Sequence, residues 1–206
     1  MSAEQTMRIG VLVSGTGSNL QAIIDAIELG ELDAEVGVVI SNRESARGLE
    51  RARQHGIDAV FLDPVAHQSP HAYNVALRDK LQFYRVDYVV MAGYMKLLGT
   101  PVLDAYPNRV LNLHPALLPS FPGANGIKDA FDAGVKVTGV TVHFANEHFD
   151  EGPIIAQVPV AIDEGDTVAS LEAKIHEVEH RIYPEVLRWL AQDRVTVEGR
   201  KVHVSS

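Results

Sequence analysis

The chain has 206 residues, 46% of them hydrophobic, and a formal net charge of −9. This length and composition are enough to bury the core of one globular domain, and the negative charge argues against nucleic acid as the main partner. The chain has no cysteine, which excludes disulfides, thiolate metal sites and cysteine nucleophiles.

The N-terminal residues 1–6 form a short polar segment without the apolar region of a signal peptide. No later apolar run approaches the roughly 20 residues that cross a bilayer. We therefore expect a cytoplasmic protein without membrane contact. No internal repeat or low-complexity linker interrupts the sequence, so we predict a single domain over residues 1–206.

The first half of the chain alternates apolar strands with helices. Met7–Val13 is a predicted strand, and the loop Ser14–Asn19 leads from it into an amphipathic helix. Further strands and helices are predicted at Glu35–Ile40, Ser45–Gln54, Asp58–Leu62, Pro70–Tyr84 and Asp87–Met91. Strands spaced by helices in this way predict right-handed crossovers and a parallel sheet, as in a Rossmann-like fold.

The second half mixes strands with helices of different lengths. We predict a short helix near Pro101–Tyr106, a strand at Arg109–Leu113, a helix at Ile127–Ala133, strands at Lys136–Phe144 and Pro153–Val160, a helix at Thr167–Leu190 with a bend at Pro184, and a hairpin at Arg194–Val204 that turns at Glu198–Gly199. The predicted fold class is therefore α/β: a Rossmann-like fold with a mostly parallel central sheet flanked by helices, and a C-terminal hairpin.

Asn112 and His114 lie two residues apart at the end of a predicted strand, so their side chains project to the same side. Pro115, Pro119 and Pro122 stop the strand, which puts the polar pair at a strand end, where α/β sheets bind ligands. An amide and an imidazole in this position can stabilise one developing oxyanion. The structural alternative is that the imidazole caps a turn and the amide closes an Asx turn.

The glycine loop Ser14–Asn19 is typical of an anion site, because glycines let the backbone approach a phosphate at a helix N-terminus. Leu20 occupies the place of the third glycine of the dinucleotide fingerprint, and the loop lacks the Gly-Lys-Ser/Thr ending of a Walker loop. We therefore predict phosphate binding without a dinucleotide. The alternative is that Ser18 or Asn19 only caps the helix.

The sixth predicted strand delivers His143 to a loop that is rich in carboxylates. We select Asp150 from this loop as the partner of His114, because its charge would favour the imidazolium form and keep the ring a proton donor. Glu147 and Glu151 are equally open choices on sequence grounds. Acidic loop residues are usually solvated surface groups, which is the structural alternative.

His176-Glu177-Val178-Glu179-His180 matches the H-E-x-x-H motif of zinc proteases, in which two histidines bind zinc and the first glutamate acts as base. Such short matches arise easily by chance, and Pro184 follows one helical turn later. Glu198, the nearest candidate for a third ligand, falls in the predicted hairpin turn. Zinc hydrolysis is therefore a rival hypothesis, which activity in the presence of a chelator would exclude.

Four segments together carry a resemblance to a known family: SGTGSNLQAII, NLHPALLPSFPG, GVTVHF followed by FDEGPIIAQ, and EHRIYPEVL. They occur in the same order and at similar spacing in the phosphoribosylglycinamide formyltransferases. The similarity runs from Met7 over essentially the whole chain. The combination is highly specific, whereas the LLP-x-x-x-G part alone is shared by other formyl-folate enzymes.

The resemblance implies transfer of a formyl group from 10-formyltetrahydrofolate to the amine of 5'-phosphoribosylglycinamide, a step of purine biosynthesis. Asn112, His114 and Asp150 would form the catalytic trio. The amide and the protonated imidazole would stabilise charge on the formyl oxygen, and the carboxylate would hold the imidazolium and accept the amine proton through water. Formyl folate is then a co-substrate, and neither a metal nor a covalent enzyme intermediate is required.

The resemblance also implies how the two small-molecule substrates are bound, by a monomer or a homodimer. Residues 1–100 would form the phosphate-binding half, and residues 101–206 the folate-binding and catalytic half. The phosphate of the nucleotide would contact Gly17, Ser18 and Asn19. Other parts of the nucleotide would contact Pro115 and Glu179. The folate would contact Met95, Lys96, Leu97, Leu98, Asn112, Ala145, Asn146, Glu147 and Asp150, with Thr141 and His143 in supporting positions.

Two parts of the sequence depart from the family pattern. Pro70 and Lys96 stand where arginines suited to the glutamate tail of folate are frequent, so recognition of the tail is not carried over. Residues Ala124–Ile127 replace a segment in which many relatives have histidines, and no contact is carried over for that loop.

Other functions are open as alternatives. Formyl-methionyl-tRNA synthesising transferases usually have an additional C-terminal nucleic-acid-binding domain, and formyltetrahydrofolate hydrolases an extra N-terminal regulatory domain. We expect neither domain here, because strands and helices of the catalytic domain account for the sequence. A non-catalytic nucleotide-binding module would keep the glycine loop without needing Asn112, His114 and Asp150, and would bind its ligand without turnover.

Overall fold

The computed structural model describes residues 6–205. The chain divides into two compact units, one that runs to Leu111 and one that starts at Asn112, so the boundary falls within the fifth strand. Among the helices of this described range, none is long and apolar enough to span a membrane.

The first unit alternates strands and helices, as the sequence predicts. In chain order they are β1 (Met7–Val13), α1 (Ser18–Glu28), β2 (Ala34–Ser41), α2 (Arg47–Gln54), β3 (Ala59–Phe61), a 3-10 turn (Pro64–Ala66), α3 (Pro70–Phe83), β4 (Tyr88–Met91), α4 (Thr100–Leu103) and the start of β5 (Val110–His114). Strand β1 pairs with β2 and β4, and β2 with β3, all in parallel. Most of their residues are buried on both faces, as is typical of parallel strands covered by helices.

Local sequence signals explain where the helices begin. The Ser69 hydroxyl accepts a hydrogen bond from the Ala72 N–H at 3.1 Å, and Pro70 occupies the first helical position of α3. A proline is tolerated there because the first N–H groups of a helix have no acceptor within it. In the second unit, α6 begins with a capping box in which Thr167 and Ser170 each bond the backbone of the other.

The second unit completes the sheet and adds a hairpin. After the end of β5 it contains α5 (Gly126–Asp132), β6 (Val137–Phe144), β7 (Ile154–Ala161), α6 (Val168–Ala191), β8 (Val195–Glu198) and β9 (Lys201–Val204). Strands β6 and β7 pair antiparallel, and β8 and β9 form a separate antiparallel hairpin. Within residues 6–205 the other strands make one seven-stranded sheet in the order β3-β2-β1-β4-β5-β6-β7.

The predicted fold class is confirmed: a mostly parallel sheet flanked by helices, with a C-terminal hairpin. Several predicted boundaries differ from those in the structure, including the end of one helix and the position of the hairpin turn. The helix expected near Pro101–Tyr106 ends at Leu103, because Pro107 disfavours a helical conformation for the residue before it. The hairpin turns at residues 199–200, one position later than predicted, since Glu198 still pairs with Lys201.

Candidate active site

Asn112 and His114 lie on β5, and the loop after β6 brings Asp150 to them. Nδ1 of His114 lies 3.4 Å from Oδ2 of Asp150, and Nδ2 of Asn112 lies 3.4 Å from Oδ1 of the same carboxylate. His114 and Asp150 are only 3% and 8% exposed. Glu147 and Glu151, the other candidates from this loop, are exposed. The structure therefore brings the three predicted catalytic side chains together.

A tight backbone turn holds Asp150 in this position. Its φ of 55° lies in the left-handed region, where Asp and Asn are enriched among residues other than glycine. Two residues later, Gly152 packs against the carbonyl of Phe144, and a Cβ on Gly152 would lie 1.7 Å from that oxygen. The Phe144 N–H donates to the carbonyl of Pro153 at 2.9 Å. The ends of β6 and β7 thus fix the loop that carries the carboxylate.

His143 is a fourth polar residue in this cluster. Its Nδ1–H donates to the carbonyl of Phe144 at 3.0 Å, and its Nε2 lies 3.2 Å from Nδ2 of Asn112. The same ring nitrogen lies 3.7 Å from Oδ1 of Asp150. His143 therefore contacts both the Asn112 amide and the Asp150 carboxylate.

The loop after β5 contacts both His114 and Asp150 through its backbone. Nε2–H of His114 donates to the carbonyl of Phe121 at 2.8 Å, and the Gly123 N–H donates to Oδ2 of Asp150 at 2.9 Å. Both ring nitrogens of His114 therefore face oxygen atoms, an arrangement that a doubly protonated ring satisfies. Sequence reasoning missed these two contacts, because backbone groups leave no pattern of residue types.

The surroundings of Asp150 favour its ionised form. Burial by itself raises the pKa of this carboxyl group, but the His143 ring, the Gly123 N–H and the charge of His114 together outweigh burial. The net effect holds the pKa of Asp150 below its ordinary value of 3.8. The carboxylate is thus ionised at neutral pH.

Thr141 holds the loop that follows Pro115. Its Oγ1 donates to the carbonyl of Ala116 at 2.7 Å and accepts from the Leu118 N–H at 3.1 Å. Gln157 on β7 donates to the Thr141 hydroxyl at 3.0 Å and to the Leu118 carbonyl at 2.8 Å. Sequence reasoning missed Gln157, and its polar side chain on a largely apolar strand was the available signal. These bonds fix the segment after β5 against β6 and β7.

The predicted phosphate loop lies in the first unit, at the start of α1. The helix begins at Ser18, and Gly17 precedes it with a φ of 70° and without a side-chain cap hydrogen bond. The alternative in which Ser18 or Asn19 caps the helix is therefore wrong, because both lie inside it. The first N–H groups of a helix have no acceptor within the helix, so this end suits an anion. Nε of Arg51 donates to the Thr16 carbonyl at 2.9 Å and fixes the loop.

The predicted folate segment Met95–Leu98 follows β4 in the same unit and borders a cavity of about 460 Å³. Met95 and Leu97 are 66% and 67% exposed, so this segment presents two apolar side chains to solvent. Pro70 and Lys96, the positions that depart from the family pattern, both line the cavity. The structure thus places the two departures beside the predicted folate contacts.

Three other predicted folate contacts lie at the start of the loop that carries Asp150. Ala145 is half-buried, and Asn146 and Glu147 are exposed. Oδ1 of Asn146 accepts a hydrogen bond from the His148 N–H at 3.0 Å, which closes an Asx turn. Their contact with folate stays a prediction.

Glu179 is buried on α6, and its Oε2 accepts a hydrogen bond from Nδ1 of His176 at 2.9 Å. This bond raises the pKa of His176 above its ordinary 6.5. Burial lowers the pKa of His180, whose ring stacks on that of His176 with the centroids 6.2 Å apart.

Glu177, the base that a zinc hydrolase would need, is exposed. Among residues 6–205, no group of three His, Asp or Glu side chains is arranged to hold a metal ion.

Comparison with known proteins assigns the family. A family model described as formyl transferase matches residues 7–187. The phosphoribosylglycinamide formyltransferase of Escherichia coli (strain K12) is 42% identical over 189 residues, which are 92% of this chain and 89% of that protein. The crystal structure of glycinamide ribonucleotide transformylase 1 from Symbiobacterium toebii matches with a TM-score of 0.96 and 52% identity, over 98% of this chain and 95% of that one.

A formyltetrahydrofolate deformylase from Pseudomonas syringae is also similar in structure. Its TM-score is 0.91, but its sequence is 28% identical, and the match covers 98% of this chain and 67% of the deformylase. The two glycinamide nucleotide enzymes are closer in sequence and match over most of both chains. The chain therefore belongs to the formyl transferase family, and within it to the phosphoribosylglycinamide formyltransferases.

Proposed function

We propose that this chain transfers the formyl group of 10-formyltetrahydrofolate to the amine of 5'-phosphoribosylglycinamide, as a step of purine biosynthesis. The observation that carries the proposal is the buried contact of His114 with Asp150 beside the amide of Asn112, in a chain of this family. Formyl folate is the co-substrate in this proposal, and we expect the reaction to take place in the cytoplasm.

Asn112 offers an N–H donor to the transition state. When the amine attacks the formyl carbon, negative charge develops on the formyl oxygen, and a fixed donor at that atom lowers the barrier. The contact of Asn112 Nδ2 with Asp150 is 3.4 Å, which is long for a hydrogen bond, so this N–H is the one that can turn to the formyl oxygen. One such donor typically contributes about 100- to 1,000-fold to the rate.

His114 reaches the formyl oxygen when its Nε2 exchanges one oxygen partner for another. In the structure this nitrogen donates to the Phe121 carbonyl at 2.8 Å. The formyl oxygen would replace that carbonyl on substrate binding, while Nδ1 keeps its contact with Asp150. Both ring nitrogens then keep an oxygen atom as a neighbour throughout the exchange, which limits its cost.

Asp150 takes part in the proton transfers. The new C–N bond leaves an excess proton on the amine, and the bond from carbon to the folate nitrogen breaks as that nitrogen gains a proton. Asp150, which is ionised at neutral pH, accepts the amine proton through water and holds the His114 imidazolium. The proton lost by the amine equals the proton gained by the folate nitrogen, so the reaction balances without another reactant.

The substrates would be bound by the two sites in the first unit. The phosphate would contact the start of α1, at Gly17, Ser18 and Asn19. The folate would enter the cavity beside Met95 and Leu97, whose volume of about 460 Å³ is in the range of small-molecule pockets. Lys96 supplies a positive charge in its wall, which suits the carboxylates of a folate tail. The contacts expected for Pro115, Glu179 and residues 145–147 stay predictions.

Hydrolysis of 10-formyltetrahydrofolate is the second candidate function, because a deformylase shares this fold with a TM-score of 0.91. Water would then replace the amine at the same trio. An absorbance assay of folate deformylation, with and without 5'-phosphoribosylglycinamide, distinguishes the two functions. Transfer predicts turnover that needs the nucleotide and yields one formylated product per folate. Turnover without the nucleotide would identify a hydrolase, and binding without turnover a nucleotide-binding module.

A further inference from the structure

Ser14 is a buried serine between β1 and the glycine loop, and it makes three hydrogen bonds to distant parts of the first unit. Its hydroxyl donates to Oδ1 of Asn42 at 2.5 Å and accepts from the Met95 N–H at 2.8 Å. Its own N–H donates to the carbonyl of Gly93 at 3.1 Å. The first residue of the phosphate loop is therefore bonded directly to the segment that borders the folate cavity.

The segment after β4 is also held by hydrogen bonds to another element. The hydroxyls of Tyr94 and Tyr73 are 2.6 Å apart, and Oδ1 of Asn74 accepts from the Gly99 N–H at 2.7 Å. Both of these bonds join the segment to α3. Ser14 joins it instead to the phosphate loop, and it holds the N–H of Met95, a residue that lines the cavity.

We propose that Ser14 is a positioning residue, whose hydroxyl sets the folate-binding segment at a fixed position relative to the phosphate loop. The inference rests on the proposed function, because it concerns affinity for the folate substrate. The single hydroxyl proton is donated to Asn42 and the oxygen accepts from Met95, so this side chain acts through the backbone it holds. Without the hydroxyl, the Met95 N–H loses its acceptor and the cavity wall loses one of its fixed points.

The test compares Ser14→Ala with Ser41→Ala. Ser41 is also buried, and it ends β2 beside Val13 of β1. Its hydroxyl bonds locally, to the carbonyl of Arg43 at 2.8 Å and the N–H of Arg43 at 3.0 Å. The two variants thus remove the same group from the ends of neighbouring strands. The readouts are the Kd of tetrahydrofolate by calorimetry, the KM of each substrate, kcat and the Tm.

We expect Ser14→Ala to weaken tetrahydrofolate binding and to raise the folate KM by about 10-fold, with kcat at saturation within about 3-fold of wild type. Ser41→Ala should leave the folate KM within about 2-fold of the wild-type value, even if the Tm of this variant falls. If Ser14→Ala does not fold, Asn42→Ala removes the acceptor of the hydroxyl and should raise the folate KM by about 3-fold.

Unchanged folate affinity in Ser14→Ala, or an equal loss in Ser41→Ala, would overturn the inference. Unchanged affinity in Asn42→Ala would do the same where Ser14→Ala does not fold. These outcomes leave the proposed function standing, because the wild-type chain still transfers formyl groups. A wild-type chain that neither binds tetrahydrofolate nor transfers formyl groups would overturn the proposed function, and this inference with it.

Discussion

Gly17 and Gly48 pack backbone against backbone: a Cβ added to Gly17 would lie 2.7 Å from the Cα of Gly48. The Gly48 N–H also donates to the carbonyl of Gly15 at 3.1 Å, so α2 supports the phosphate loop directly. A side chain at residue 17 would force these two segments apart. The same residue has a φ of 70°, which is strained for any residue with a Cβ.

Gly17→Ala should therefore weaken binding of the glycinamide nucleotide. We expect the KM for 5'-phosphoribosylglycinamide to rise about 10-fold or more, because a strain of about 1–2 kcal/mol and the contact with Gly48 displace the loop N–H groups. Gly30→Ala is the matched control, since Gly30 has a φ of 72° but no atom within 4 Å of its added Cβ. An equal rise in the control would show that the effect is general strain.

Asp150→Asn should change how stability depends on pH. The pKa of Asp150 is lowered in the folded protein, so its contribution is fully present above the unfolded-state pKa of about 3.9 and is lost as the pH falls through the lower folded value. Urea unfolding between pH 5 and pH 3 should show wild type losing stability relative to the variant. Asn suits the left-handed backbone at this position. Parallel stability curves for the two proteins would contradict the assigned shift.

Gly152→Ala should destabilise the second unit and the loop that carries Asp150. A Cβ at residue 152 would lie 1.7 Å from the Phe144 carbonyl oxygen, so the backbone has to move. We expect the free energy of unfolding to fall by about 3 kcal/mol, with loss of formyl transfer. Gly165→Ala is the control, because its Cβ meets nothing within 4 Å. Denaturant unfolding of both variants measures the difference, and equal stability would show that the loop adapts.

Chelation should leave the activity intact. The mechanism relies on hydrogen bonds and proton transfer, and Glu177, the base of the rival zinc motif, is exposed on α6. Turnover with excess chelator, and turnover by Glu177→Gln, should both stay within about twofold of the untreated wild type. Activity that is lost on chelation and restored by zinc would favour the zinc hydrolase.

Patterns of residue type predict the strands and the Asn112–His114 pair well. Apolar runs mark buried parallel strands, and a spacing of two on a strand places both side chains on one side. The choice of Asp150 over Glu147 and Glu151 could not be made from residue types, since it depends on a left-handed turn after residue 149. Backbone geometry decides which carboxylate of this loop is buried, and several different sequences can adopt the same backbone geometry.

Residue types also do not predict contacts between a side chain and a distant backbone group. The Phe121 carbonyl at His114 is a group that every residue carries, and the Met95 N–H at Ser14 is one that every residue except proline carries. Ser14 and Met95 are 81 positions apart, so only the folded sheet brings them together. The helix-cap alternative for Ser18 also depended on the boundary of α1, and boundaries are set by local backbone angles more than by composition.

A single-turnover measurement can decide whether Asn112, His114 and Asp150 carry out formyl transfer. Wild type, His114→Ala and the control His148→Ala, which removes an exposed imidazole from the loop before Asp150, would each be mixed with saturating amounts of both substrates. We predict a transfer rate about 100-fold or more lower in His114→Ala, with both Kd values unchanged and the control equal to wild type. A His114→Ala protein that transfers within about 3-fold of the wild-type rate would contradict the mechanism.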